Sequence, residues 1–200
     1  MSSVSHDAVM EHHSTTGIPH RKMLMWTFIG SECMLFGSLI TAYLVYRGRS
    51  VVGPYPTELL NIPFITVTTF VLLMSSLAMV LALSAVQRGN RGGARLWLAA
   101  TAILGLIFLG GQYYEFSHFV HEGLGLSRNL FSATFFLLTG THGAHVAVGV
   151  IWLSSLLGLE LKGKLGPEKA EIVEVAGLYW HFVDVVWIVL FTVIYLLVEV

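Results

Sequence analysis

The sequence predicts an all-α integral membrane protein, built as a bundle of five transmembrane helices. Two observations carry this prediction: the composition and the recurrence of long apolar stretches. Of the 200 residues, 55% are hydrophobic and only 12% are charged, whereas about a quarter of the residues in a soluble domain are charged. Stretches of the ~20 apolar residues that cross a bilayer core recur along the whole chain. The formal net charge of −1 gives no reason to expect a nucleic-acid partner.

Turn-forming and charged residues divide the chain into these spans. Residues 1–22 are polar and are predicted to form a mobile tail, and residues 23–200 to form a single transmembrane domain. In chain order, the apolar segments are separated by connections at 47–63, 87–93, 121–125 and 162–167, none long enough for a soluble domain. The predicted spans are about 23–46, 62–86, 96–118, 130–158 and 175–198.

The distribution of Lys and Arg predicts the orientation of the bundle, because cytoplasmic loops carry an excess of both. Three basic residues fall on one side, namely Arg47, Arg49 and Arg128. Eight fall on the other side, namely Arg21, Lys22, Arg88, Arg91, Arg95, Lys162, Lys164 and Lys169. The N-terminus is therefore predicted to be cytoplasmic and the C-terminus to be outside.

Cys33 is the only cysteine. This count excludes a disulfide within the chain, a Cys-x-x-Cys-His haem attachment, an iron–sulfur cluster and a thiolate copper pair. If the protein serves redox chemistry, the electron carriers are expected on other chains.

Five ionisable residues are predicted to lie deep in the membrane, where a charged group is costly and usually functional. At 1.5 Å of rise per residue, Glu32 and Asp184 lie roughly 15 Å into their helices, and His142 and His145 reach the middle from the other side. Three helices supply them: Glu32 on the first, His142 and His145 on the fourth, and His181 and Asp184 on the fifth. We expect them to face one another or a protein partner, and expect His181 and Asp184 to satisfy each other or partners on the first and fourth helices.

Two patterns predict how the helices pack. Small residues four apart allow close approach of a neighbouring helix, as at Cys33 with Gly37, Ser38 with Ala42, Gly140 with Ala144, and Gly143 with Ala147. A stripe at helical spacing on the fifth segment predicts a packing seam, and comprises Trp180, Asp184, Trp187, Phe191 and Tyr195.

Histidines and carboxylates that converge from several helices are compatible with two classes of function. One is a membrane metalloenzyme, as in bundles with a Glu-x-x-His from each of two helices, but the carboxylates in the spans number only Glu32, Asp184 and the outer Glu115. The other is proton-related or structural work without a cofactor. A secondary transporter would be expected to show internal repeats and broken helices, and the segments show neither.

Four motifs, in order along the chain, resemble one known family. They are residues 31–32 (SE), 112–116 (QYYEF), 135–149 (FFLLTGTHGAHVAVG) and 179–187 (YWHFVDVVW). Together they resemble the signature of subunit III of the haem–copper oxidases, with a match that runs over about residues 21–198.

This resemblance implies a cofactor-free subunit in the plasma membrane of a bacterium. The subunit would pack on the catalytic subunit I of a terminal oxidase that reduces oxygen to water and pumps protons, with subunit II also in the complex. Haem and copper would lie in those partners. Subunit III of this family supports proton uptake and turnover stability and binds phospholipids. Glu32 matches the buried, carbodiimide-reactive carboxylate of the family, and His142, His145, His181 and Asp184 match its motif positions.

Alternatives within the family stay open. Longer members have seven helices, and this chain resembles them from their third helix onward, as in five-helix quinol oxidases and some bacterial cytochrome c oxidases. In such forms, the resemblance implies that subunit I would supply the missing helices. Residues 113–115 and 177–180 favour cytochrome c over quinol as donor. A five-helix protein associated with nitric oxide reductase is the other relative to consider.

The basic residues at the cytoplasmic helix ends are candidates for phospholipid binding. Basic pockets between helices attract anionic head groups, although the same residues also satisfy the orientation rule. The predicted set is Arg88, Arg91, Arg95, Lys162 and Lys164.

Overall fold

The computed structural model describes residues 19–46, 62–121 and 130–197. These residues are almost entirely helical, and the predicted polar tail lies outside them up to residue 18. We number the long helices α1 (His20–Tyr46), α2 (Ile62–Gln87), α3 (Arg91–His121), α4 (Leu130–Leu161) and α5 (Ala170–Phe191). A single 3₁₀ turn at Pro167–Lys169 precedes α5, and a π-helical turn at Thr192–Leu196 continues it.

The described residues contain five helices long and apolar enough to cross a membrane, as the sequence predicts. The observed helices extend beyond the predicted spans, most of all at the start of α3 and of α5. At the start of α3 the Asn90 side chain accepts a hydrogen bond from the Gly93 amide at 3.0 Å. Such a bond satisfies a backbone amide that has no partner within the helix. The helix therefore continues into polar sequence where hydropathy alone no longer indicates it.

Contacts at the two ends of the bundle show that successive helices alternate in direction. At one end Lys22 Nζ lies 2.7 Å from Glu174 Oε1, which joins the start of α1 to the start of α5. The start of α3 meets the end of α4 at the same end, through Arg95 and Glu160. At the opposite end, Tyr195 donates to Glu115 near the end of α3. All the basic residues described therefore gather at one end, and the side of the membrane on which that end lies stays a prediction.

Helix α5 packs against α1, α2 and α4, and its two indoles, Trp180 and Trp187, are buried. Trp180 is fully buried between two glycines: a Cβ placed on Gly105 or on Gly149 would lie 2.7 Å from the Trp180 ring. The Trp180 indole donates to Ser75 Oγ and the Trp187 indole to Thr69 Oγ1, each at 2.9 Å. The predicted seam is thereby confirmed for Trp180 and Trp187, and Asp184 and Tyr195 are buried beside them.

Of the five long helices, α1 is the least enclosed: only 11% of its apolar 18-residue stretch is buried. It packs through Phe36 and Tyr43, the two buried residues on the helix. Cys33 and Gly37 lie exposed on another face, and nothing stands within 4 Å of a Cβ built on Gly37. The predicted close approach at Cys33 and Gly37 is therefore wrong within this chain, because the larger apolar side chains determine which face of α1 packs. The prediction holds on α4, where Gly143 lies directly against the Gln112 side chain of α3.

Candidate functional site

A glutamate and a histidine join α1 to α4 near the middle of the bundle. Glu32 Oε2 lies 3.1 Å from His145 Nε2, and the side chains are 14% and 18% exposed. The other ring nitrogen, Nδ1, lies 2.8 Å from the Thr141 carbonyl oxygen. Because a carbonyl oxygen only accepts, His145 Nδ1 is assigned a hydrogen. A hydrogen bond between Nε2 and Glu32 Oε2 then requires one further hydrogen between them, carried by either the imidazole or the carboxyl.

An apolar groove opens beside this pair, between α1 and the other helices. One part, of about 500 Å³, contains Glu32 and His145 together with Met25, Phe28, Trp152 and Tyr179. An adjoining part, of about 430 Å³, shares Met25, Phe28 and Trp152 and extends to Arg21 at the end of the bundle. The groove thus runs from a cationic mouth along apolar walls to a carboxyl–imidazole pair.

His142 lies in an aromatic enclosure and is fully buried. Its ring stacks on Trp187 with 4.8 Å between centroids, and the Phe108 ring meets it edge-on at 5.9 Å. Neither ring nitrogen has a hydrogen-bond partner among the described residues. Phe36 of α1 contacts both His142 and His145, at 6.5 and 5.2 Å. The two histidines of α4 therefore share aromatic contacts, but they have different polar surroundings.

His181 pairs with a serine that sequence reasoning missed. Its Nδ1 lies 2.6 Å from Ser76 Oγ of α2, and both side chains are partly exposed. A serine within an apolar helix usually bonds its own backbone, as Ser75 does to the Leu72 carbonyl at 2.5 Å. The sequence therefore contained no signal that would distinguish Ser76 from its neighbour.

Asp184 is 3% exposed and does not bond to His181, whose partner lies on α2, so the prediction that the two residues satisfy each other or partners on the first and fourth helices is wrong. The Ser76 hydroxyl lies within reach of the Asp184 carboxyl, but neither carboxyl oxygen meets the geometry of a hydrogen bond. Residues three apart share a helix face. Helix α2 approaches that face so closely that its Ser76, rather than Asp184, becomes the partner of His181.

Two further buried carboxylates occupy opposite ends of the bundle. Glu160 is fully buried with its Oε1 3.7 Å from Arg95 Nε, an ion pair without a close hydrogen bond. Glu115 accepts from the Tyr195 hydroxyl at 3.0 and 3.1 Å. Sequence reasoning did not single out Glu160, because a charged residue at the end of an apolar run is normally read as solvated.

The predicted lipid-binding residues all lie at one end of the bundle, and three of the five contact other parts of this chain. Arg95 pairs with Glu160, and the Arg88 guanidinium donates to Ser84. Arg91 packs against Gly163, where a Cβ would lie 3.0 Å from its guanidinium nitrogen. Lys162 and Lys164 are exposed.

The donor set does not suit a metal ion. Across residues 19–46, 62–121 and 130–197, no three His, Cys, Asp or Glu side chains come together closely enough to hold one. The five ionisable residues instead divide into the Glu32–His145 pair, the enclosed His142 and the Ser76–His181 pair with Asp184 beside it. What this arrangement can do is tie helices together and hold a proton.

Residues 2–198 match the protein family described as cytochrome c oxidase subunit III. The chain is 39% identical to the quinol oxidase subunit 3 of Bacillus subtilis. The alignment spans 193 residues, which are 96% of this chain and 93% of the relative. It is 38% identical over 190 residues to the cytochrome c oxidase subunit 3 of Bacillus sp. strain PS3, covering 95% and 92%. The cytochrome bo(3) ubiquinol oxidase subunit 3 of Pseudomonas putida is 38% identical over 172 residues, covering 86% and 83%.

Proposed function

Because the chain belongs to the cytochrome c oxidase subunit III family and is therefore subunit III of a haem–copper oxidase, we propose that it is a non-catalytic subunit that stabilises the complex during turnover. The complex would reduce oxygen to water and pump protons across the plasma membrane of a bacterium. The basic end of the bundle would face the cytoplasm, in line with the positive-inside rule.

The use of the buried polar groups supports a non-catalytic role. Glu32 with His145, and Ser76 with His181, each link two helices of this chain. Catalytic groups that bind a substrate or a metal need free coordinating atoms that converge on one point, and these pairs instead bond across separate helix contacts. We therefore place the haem and copper in the partner subunits I and II, with this subunit packed directly on subunit I.

The test is purification from membranes through an affinity tag on the C-terminus of this chain. We expect haem-containing partners to co-purify and the preparation to consume oxygen. After the subunit is separated with detergent, we expect it to carry no haem and no stoichiometric iron, copper or zinc. Stoichiometric metal in the separated subunit would replace the proposal with the metalloenzyme alternative.

Support of proton uptake is the finer part of the proposal, and the Glu32–His145 pair carries it. The pair shares one proton and lies in a groove, so that proton can move between the imidazole and the carboxyl while the pair keeps a net charge of zero. We expect removal of the subunit to leave the first turnovers intact and to accelerate inactivation over later ones. Full activity that persists through prolonged turnover without the subunit would contradict this role.

Cytochrome c is the electron donor we propose, with quinol as the second candidate. The sequence of residues 113–115 and 177–180 favours the former, while relatives named as quinol oxidase subunits match about as well. Neither motif forms a donor site here, since Glu115 bonds to Tyr195 and Trp180 to Ser75. Subunit II decides the question: a copper-binding pair of cysteines means cytochrome c, and its absence means quinol.

We also propose that the subunit binds phospholipid. The groove from Arg21 to Glu32 has a basic residue at its mouth and apolar walls, which suits an anionic head group and an acyl chain. Among the basic residues predicted from sequence, Lys162 and Lys164 remain exposed for the same purpose. Native mass spectrometry of the complex should show retained phospholipid, reduced in Arg21→Ala if the groove is the site and in Lys162→Ala with Lys164→Ala if the loop is.

A further inference from the structure

One ring nitrogen of His181, at the middle of its membrane span, has no hydrogen-bond partner among the described residues. His181 stands at the middle of the span Pro167–Leu196, and its Nδ1 is bonded to Ser76. The imidazole is partly exposed, and no described residue bonds to its Nε2. The hydrocarbon interior offers no hydrogen-bonding group to such an atom.

The exposed ring belongs to a continuous face of α5. Residues spaced three and four apart share one side of a helix, and here this spacing joins Glu174, Leu178, His181, Val185, Ile188 and Thr192. Val185 and Ile188 are 57% and 43% exposed. We call these six residues the α5 face.

Neighbouring contacts show where the α5 face opens. On one side Phe182 packs on Phe36 of α1, with 6.3 Å between ring centroids. On the other side Gly177 lies against Met79 of α2, which is 3.4 Å from a Cβ built on that glycine. The α5 face is therefore bounded by α1 and α2, which reach Glu174 and His181, while Val185, Ile188 and Thr192 stay exposed among the described residues.

We propose that a transmembrane helix of another oxidase subunit docks on the α5 face and that a hydrogen-bonding side chain on that helix pairs with His181 Nε2. The inference rests on the proposed function, since it requires a partner subunit. Lipid tails can cover Val185 and Ile188, but they cannot pair with an imidazole nitrogen.

The other partly exposed pair in the membrane provides a contrast. His145 bonds through both ring nitrogens, to Thr141 and to Glu32, so it needs nothing from a neighbouring subunit. Glu174, at the basic end of the α5 face, is also paired, with Lys22. On the α5 face, His181 Nε2 is thus the polar atom to which a partner can form a specific hydrogen bond.

Photo-crosslinking in the assembled oxidase tests the location of this contact. A benzophenone amino acid replaces Val185, and the matched control replaces Ile103, which is 55% exposed on α3. We expect the probe at position 185 to give an adduct with another subunit and the probe at position 103 to give lipid adducts only. Lipid adducts alone at position 185, or equal protein adducts from both positions, would overturn the proposal.

The haem content of the same preparations separates this inference from the proposed function. If the wild-type chain does not co-purify with haem-containing subunits, the proposed function fails. If it co-purifies but the probe at position 185 finds no protein, only the docking face is wrong.

A pair of substitutions tests the hydrogen bond. His181→Phe removes both ring nitrogens, whereas Ser76→Ala removes only the bond within this chain. Interhelical hydrogen bonds in membranes correspond to about a threefold change in an equilibrium. We expect His181→Phe to weaken retention of the subunit in detergent by about threefold and Ser76→Ala to leave retention unchanged. Equal losses in the two variants would mean that only the internal bond matters and that no partner pairs with Nε2.

Discussion

The Glu32 carboxyl and the His145 imidazole share a single proton across 3.1 Å, between the least enclosed helix and α4. Of the two forms of this pair, one is a neutral carboxyl beside a neutral imidazole, and the other is an ion pair. The groove beside the pair gives small apolar molecules access to the carboxyl. In the neutral form, the pair therefore combines a protonated carboxyl with a groove that leads to it.

A hydrophobic carbodiimide should therefore label Glu32. Carbodiimides react with protonated carboxyls, and this carboxyl faces the groove, whereas Glu115 is 6% exposed and held by the Tyr195 hydroxyl. We expect peptide mapping by mass spectrometry to find the adduct on Glu32 and to lose it in Glu32→Gln. Labelling confined to Glu115 or Glu122 would show that the groove does not admit the reagent.

The sequence predicted the helices well because membrane spans are encoded by length and apolarity alone. It could not predict how far each helix continues into polar sequence, since that depends on local bonds such as Asn90 to Gly93. Nor could it identify the packing face of α1. Small residues at Cys33 and Gly37 favour a helix contact, but a contact also requires a neighbouring helix on that side.

The sequence placed the buried ionisable residues on their helices but did not predict their pairings. Depth along each helix places Glu32 and His145 at the same level, and the structure joins them. Sequence spacing also suggested that His181 would bond to Asp184, whereas the bond goes to Ser76 of α2. Such a choice depends on how close α2 approaches, and one sequence does not contain that information.

Gly149→Ala should destabilise the bundle. The added methyl group would lie 2.7 Å from the Trp180 ring and 3.2 Å from the Tyr179 ring, and the Trp180 indole is fixed by Ser75. Overpacking of this kind costs about 1–3 kcal/mol. Gly37→Ala is the matched control, because open space surrounds that position and alanine favours a helix by up to about 1 kcal/mol. Thermal unfolding in detergent should separate the two variants, and equal midpoints would contradict the close packing around Trp180.

Replacing Arg95 alone should destabilise the protein more than replacing both Arg95 and Glu160. Glu160 is fully buried, so Arg95→Met leaves its carboxylate without compensation. Losing one partner of a buried pair costs about 3–5 kcal/mol, and the 42% exposure of the Arg95 side chain places the expected effect near the lower end. The double variant Arg95→Met with Glu160→Met should recover most of the loss in unfolding experiments. A double variant as unstable as the sum of the single variants would show that the pair is not coupled.

Replacement of Asp184 should leave assembly nearly intact, although a buried carboxyl in a membrane span is usually needed. Neither carboxyl oxygen makes a hydrogen bond among the described residues, and Asn keeps the volume and one acceptor. Interhelical hydrogen bonds in membranes average only about 0.6 kcal/mol, so Asp184→Asn should leave assembly nearly intact. Asp184→Leu should behave similarly, because Ser76 rather than Asp184 satisfies His181 Nδ1.

Oxygen consumption over repeated turnovers, with subunit stoichiometry checked on a native gel, measures both Asp184 variants. Since this subunit contributes no electron carrier under the proposed function, any defect should appear as faster inactivation or as dissociation of the subunit. A loss in Asp184→Leu alone would mean that the side chain needs an acceptor despite the geometry seen here. Immediate and complete loss of activity in a fully assembled Asp184→Asn oxidase would place Asp184 in the chemistry itself, and the non-catalytic role would then be wrong.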